Sequence, residues 1–122
     1  MFKYLLSQNF FRVYLFICVV AIEFLATTTI HIETIENSWD KANHFIAFFV
    51  LYTLLTFAFE KISRLMKIAL LVMFGLQIEI VQSFIDGRFF SLLDVFADSV
   101  GIAIGVFLEK YVRKILEFLK SL

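Results

Sequence analysis

Four mostly apolar runs, at residues 13–30, 45–59, 68–85 and 92–108, occupy most of a 122-residue chain and leave only short polar connections between them. A membrane-spanning helix needs about 17–25 such residues. The second run is short, and extending it back to about residue 42 brings it into range, because Asn43 and His44 can sit at an interface while the chain is already helical. No run alternates with period two as a barrel strand would, and irregular backbone facing lipid leaves its polar groups unsatisfied. The expected fold is an all-α membrane protein, a four-helix transmembrane bundle in one domain over residues 1–122, with helices at about 13–30, 42–59, 68–85 and 92–108. A hydrophobic content of 61% with 17 phenylalanines fits that class better than an ordinary soluble domain.

The connections 31–41, 60–67 and 86–91 are short enough to make successive helices antiparallel neighbours. Lys3 and Arg12 precede an apolar run as in a secretory signal, but Glu23 interrupts that run and Leu25-Ala26-Thr27 makes a poor cleavage site, so an uncleaved first helix is expected. Lys and Arg number 11, as do Asp and Glu, so net charge favours no nucleic-acid partner. The distribution along the chain is more informative. Nine of the eleven basic residues fall in the N-terminal segment, the second connection and the C-terminal segment, against Lys41 and Arg88 in the other two connections. Positive charge is retained on the cytoplasmic side, so both termini are expected there. Trp39 and Phe89-Phe90 then fall near the outer interface, and Tyr4, Tyr14 and Tyr111 near the inner one. Cys18, the single cysteine, can form no disulfide within the chain and reads as packing. In the tail, Tyr111, Ile115, Phe118 and Leu122 share one helical face, which suits an amphipathic helix on the inner surface slightly better than an extension of the fourth span.

Polar residues inside the runs gather toward the outer side. Counted at 1.5 Å per residue, Glu23 lies about 10 Å deep and Glu79 about 9 Å, with Asp98 at a similar depth. Asp40 and His44, and Asp94 and Asp98, are four residues apart, and Gln82 and Ser83 follow Glu79 at three and four, so each set shares a helix face. A carboxylate turned to lipid costs roughly 2.5–3.5 kcal/mol, which directs these faces inward. Gly101 and Gly105, with Ala97 one turn earlier, form a small-residue stripe that permits close helix approach. Ser83, Ser91 and Ser99 read as capping or interface residues. The inner half of each helix is almost entirely apolar, so no polar path across the membrane is expected. Converging acids need compensation, by protonation, by Lys41 and Arg88 as counter-ions, or by a divalent cation bound with His44. The cation has the weakest support because no tight motif such as HExxH is present, and no cofactor is assigned.

The ordered set Asp40, Lys41, His44, Phe45, Glu79, Gln82, Gly87, Arg88, Asp94, Gly101 and Gly105 resembles the VanZ-like family of small bacterial membrane proteins, over roughly residues 12–110. Asp98 departs from that pattern, which usually has asparagine there. The resemblance implies the bacterial cytoplasmic membrane, envelope chemistry at its outer face, and a link to teicoplanin-type glycopeptide resistance. Three function classes follow. In an enzyme acting on a lipid-linked or surface envelope molecule, Glu79 or Asp94 is the base, His44 the acid or proton shuttle, and Arg88 the anion clamp. In a non-enzymatic binder of a cell-wall precursor or lipoglycopeptide, Asp40, Lys41, Gln82, Arg88 and Asp98 contact the ligand, and Phe89 and Phe90 seat its lipid. In a structural protein the same residues specify helix packing. So small a bundle is also compatible with a homodimer that completes the pocket.

Overall fold

The computed structural model describes residues 2–27, 40–85 and 92–122, and for residues 2 and 40–42 the backbone only. Five helices account for nearly all of it: α1 (Phe2–Leu5), α2 (Gln8–Thr27), α3 (Asp40–Ala58), α4 (Arg64–Gln82) and α5 (Leu92–Lys120). No strand occurs among the described residues. The absence of proline from the chain leaves each long helix uninterrupted. Ser63 starts α4 from an extended conformation, its side-chain oxygen accepting the Met66 N–H at 3.2 Å. This cap satisfies one of the four backbone donors that a helix start leaves over.

α3 is the centre of the molecule. It packs most extensively on α5 and next on α2, and it supplies Phe48, Leu51 and Tyr52, which are almost completely enclosed. With Leu55, Leu71, Ile78 and Ile102 they form the main core, against which Cys18 packs from α2. The small-residue stripe makes the α3–α5 contact possible. A methyl group added at Gly101 would overlap the Phe45 carbonyl oxygen, and one at Gly105 would come within 2.8 Å of the Tyr52 ring. Close backbone approach of this kind is what small residues permit in membrane helices.

Large apolar side chains cover much of the outside of the bundle. Val13, Phe16, Ile17, Val20 and Phe24 of α2, Leu70, Met73 and Ile80 of α4, and Phe96, Ile104 and Phe107 of α5 all point outward. A water-soluble monomer rarely carries a contiguous apolar surface of more than a few hundred Å². α2 and α4 are long and apolar enough to cross a membrane, and α3 holds a shorter apolar stretch, Asn43–Ala58. These features point to a membrane protein.

Several boundaries differ from the sequence expectation: a short α1 (Phe2–Leu5) precedes the four expected helices, α2 starts at Gln8 rather than near 13, and α4 ends at Gln82 rather than near 85. α4 begins at Arg64 rather than near 68, because Ser63 caps it there, and this moves Lys67 from a connection onto the first turn of a helix. Residues 109–120 continue α5 without a break rather than forming a separate surface helix. Nothing in VFLEKYVRK (residues 106–114) interrupts the helix, since it contains neither glycine nor proline.

Candidate functional site

At one end of the bundle, the start of α3, the end of α4 and the start of α5 lie side by side. His44 comes from α3, Glu79 from α4, and Asp94 and Asp98 from α5. The four-residue spacing of the two aspartates places both on the imidazole. Asp98 Oδ1 lies 2.6 Å from His44 Nδ1, and Asp94 Oδ2 lies 3.6 Å from Nε2. An ionised carboxylate can only accept, so with Asp98 ionised Nδ1 carries the hydrogen and Nε2 is left to face Asp94. Asp94 also sits in the first turn of α5, where the positive end of the helix dipole favours a negative charge.

Burial separates the four. Glu79 is fully enclosed and Asp98 is 3% exposed, whereas the side chains of His44 and Asp94 retain 22% and 16% exposure. Gly75 makes room for Asp98: a methyl group there would come within 2.7 Å of Oδ2. Because Gly75 and Glu79 are four apart on α4, one face of that helix both accepts Asp98 and presents Glu79. One ligand-capable atom from each of His44, Glu79 and Asp94 lies within 4.8 Å of the others.

The remaining candidates divide. Gln82 donates to the Ala26 carbonyl at 2.9 Å and so ties α4 to α2. Glu23 does not complete the acidic group that its depth suggested; its Oε1 accepts from Gln77 at 2.8 Å on the outer face of α2 and α4. Glu79 follows Gln77 by two residues, about 200° around the helix, so a partner of Gln77 is directed away from the buried side. Ser83 and Ser99 are exposed and donate to the backbone carbonyls of Ile80 and Val95 in their own helix turns, so Ser99 neither caps a helix nor lies at a helix interface. The side chains of Asp40 and Lys41, together with Gly87, Arg88, Phe89, Phe90 and Ser91, lie outside the described residues, as do His31 and Trp39.

The opposite end holds a polar group that contradicts the expectation of apolar inner halves. Lys67 is only 5% exposed, and its ammonium donates to Thr56 Oγ1 at 2.9 Å and lies 3.6 Å from Glu109. The Tyr52 hydroxyl donates to the same Glu109 oxygen at 2.8 Å, and its ring faces the Lys67 ammonium at 4.8 Å. Arg113 bridges Glu109 and Glu60. Glu109 lies just past the end of the fourth apolar run. Burial raises its pKa, but the Tyr52 hydroxyl and the charges of Lys67, Arg113 and Arg64 outweigh burial and hold it below its ordinary value. The signals were present in the sequence: Tyr52 and Thr56, and Glu109 and Arg113, are four apart. They are hard to see because a lone threonine and tyrosine barely interrupt an apolar run. At this end Arg12 donates from Nε to the Ala58 carbonyl at 3.0 Å, satisfying an acceptor left over where α3 ends.

No curated protein and no solved structure gives a significant match to the chain. The VanZ/LLP1 family model matches residues 2–113, which include all five helices except the last turns of α5. The match spans both polar groups and the glycine stripe between them, and on that basis the chain belongs to the VanZ/LLP1 family.

Proposed function

We propose that this protein is a four-span protein of the bacterial cytoplasmic membrane, with both termini cytoplasmic. Its outward cluster of His44, Glu79, Asp94 and Asp98 binds and chemically alters a lipid-linked or surface envelope molecule. Reduced sensitivity to teicoplanin-type glycopeptides is the cellular consequence. The orientation rests on the asymmetry of nine basic residues against two, and the setting on family membership.

The observation that carries the chemistry is the imidazole held between two aspartates. Asp98, bonded to Nδ1 at 2.6 Å, orients the ring, and Nε2 is the nitrogen that meets a substrate. His44 is thereby the acid or proton shuttle, and the more accessible Asp94, 3.6 Å from Nε2, is the base. Glu79, fully enclosed, shapes the electrostatics from behind. Arg88 serves as the anion clamp for a phosphate or carboxylate group, its planar fork suited to bidentate contact.

The test is mass spectrometry of lipid-linked envelope precursors and surface polymers. Host cells carrying the wild-type protein are compared with cells carrying Asp94→Asn or His44→Gln at matched membrane abundance. A mass change present with the wild type and absent from both variants is expected. Burial of Glu79 and the seating of Asp98 on Gly75 favour a second reading, in which the cluster only fixes helix packing. Under that reading the variants lower the unfolding midpoint and alter no envelope mass.

A further inference from the structure

We infer that His44, Glu79 and Asp94 form a binding site for one divalent transition-metal cation, with Asp98 as the residue that orients its histidine ligand. The inference rests on the same outer cluster as the proposed function, but it concerns what that cluster holds in the absence of any substrate.

The donor set has the required composition and convergence. An imidazole nitrogen and two carboxylate oxygens are common ligands for Zn²⁺ and for other first-row divalent ions, and three protein ligands leave a position open for water or substrate. Donors at about 2.0–2.2 Å from an ion sit roughly 3–3.5 Å from one another. His44 Nε2 and Asp94 Oδ2, at 3.6 Å, are nearly at that spacing already. The whole set lies within 4.8 Å, so closure requires side-chain movement of about 1 Å, within reach of small torsional adjustments. The three ligands come from three different helices, so the backbone brings them together only in the folded bundle.

The surroundings match those of a metal-bound histidine. Such a residue almost always donates its other ring N–H to a carboxylate or carbonyl, which sets the tautomer and raises the basicity of the coordinating nitrogen. Here Nδ1 is engaged by Asp98 at 2.6 Å, and Nε2 is left facing Asp94. Asp98 is itself held in place, since it is 3% exposed and sits against Gly75, where any larger residue would displace it. Charge gives a further reason. Three carboxylates surround one imidazole, with Glu79 and Asp98 buried, and a dication offsets their mutual repulsion in a way that one imidazolium does only in part. A bound dication with an open position would also attract a phosphate oxygen of the envelope molecule proposed above.

The test uses the full-length protein in detergent, stripped with a chelator and passed through metal-free size exclusion, then titrated with Zn²⁺, Mn²⁺ or Co²⁺. The expected result is one ion per chain. His44→Ala, Glu79→Gln and Asp94→Asn each lose that ion, Asp98→Asn weakens binding about 10–100-fold, and Gln77→Ala leaves it unchanged. Helical circular dichroism and a monodisperse elution peak qualify each variant as folded. The visible absorption of bound Co²⁺ in the wild type reports N/O coordination independently of any variant. No stoichiometric ion in the folded wild type, or equal binding in His44→Ala and Glu79→Gln, overturns the inference and leaves protonation, or Lys41 and Arg88, to compensate the acids. Neither result affects the envelope comparison, which can fail or succeed separately.

Discussion

Lys67 carries its charge inside the bundle, with 5% of the residue exposed. Three residues into α4, its ammonium is enclosed by Thr56, Glu109 and the face of Tyr52. Hydrogen bonds to charged groups contribute about 1.5–3 kcal/mol, so Lys67→Met is expected to lower stability by that order, read as the unfolding midpoint in detergent. The pH dependence has a definite sign. Glu109 has a folded pKa below its unfolded one, so its contribution is complete above the unfolded value and is lost as pH falls through the folded value. Part of that lowering comes from Lys67, so the gap between wild type and Lys67→Met should narrow as the medium is acidified below the carboxylate range. A gap that stays constant would mean that Lys67 acts through Thr56 and the Tyr52 ring rather than through the charge of Glu109.

At the scale of elements, the contact between α3 and α5 organises the bundle. Its glycines are not equivalent. At Gly101 an added methyl meets backbone, the carbonyl of Phe45, whereas at Gly105 it meets the Tyr52 side chain and at Gly75 the Asp98 carboxylate. Backbone cannot rotate away, so the helices themselves must separate. Gly101→Ala is therefore expected to destabilise by about 1–3 kcal/mol, the usual range for overpacking, and more than Gly105→Ala. Gly75→Ala should instead act on the site, by displacing Asp98 from His44. A stability series in detergent orders the first two, and equal midpoints would remove the argument for backbone contact. The helices themselves were largely legible beforehand. Each apolar run corresponds to one long helix, and two of the departures, at Arg64 and beyond Leu108, fall where a serine cap or an uninterrupted polar helix extends the element past its apolar part.

For the whole molecule, the two polar groups sit at opposite ends of one apolar core. Along α3, His44 and Tyr52 are eight residues apart, about 12 Å at 1.5 Å per residue, with the enclosed Phe48 and Leu51 between them. The basic residues cluster at the Lys67 end, with Arg12, Arg64, Lys110, Arg113 and Lys114 on the same side. Orientation by positive charge then predicts that a cysteine appended after Leu122 is shielded from a membrane-impermeant maleimide in intact cells and labelled once the membrane is opened. Labelling in intact cells would place the His44 cluster on the cytoplasmic side and remove the outer-face substrate from the proposal.

By itself the sequence determined that the chain is helical, roughly where each long helix lies, that α5 carries a small-residue face, and that His44, Glu79, Asp94 and Asp98 belong to one end. Those properties follow from length, apolar content and the 3.6-residue period, which are local. Only the tertiary structure decided which polar residues meet. Glu23 and Glu79 share a depth, yet one pairs with Gln77 on the outside and the other is enclosed beside His44. Periodicity relates residues on one helix to one another. The rotation of that helix against its neighbours is set by how all the side chains pack together, here by Gly75, Gly101 and Gly105 letting α3, α4 and α5 approach. The same packing drew Lys67, Tyr52, Thr56 and Glu109, from three helices, into a single buried group.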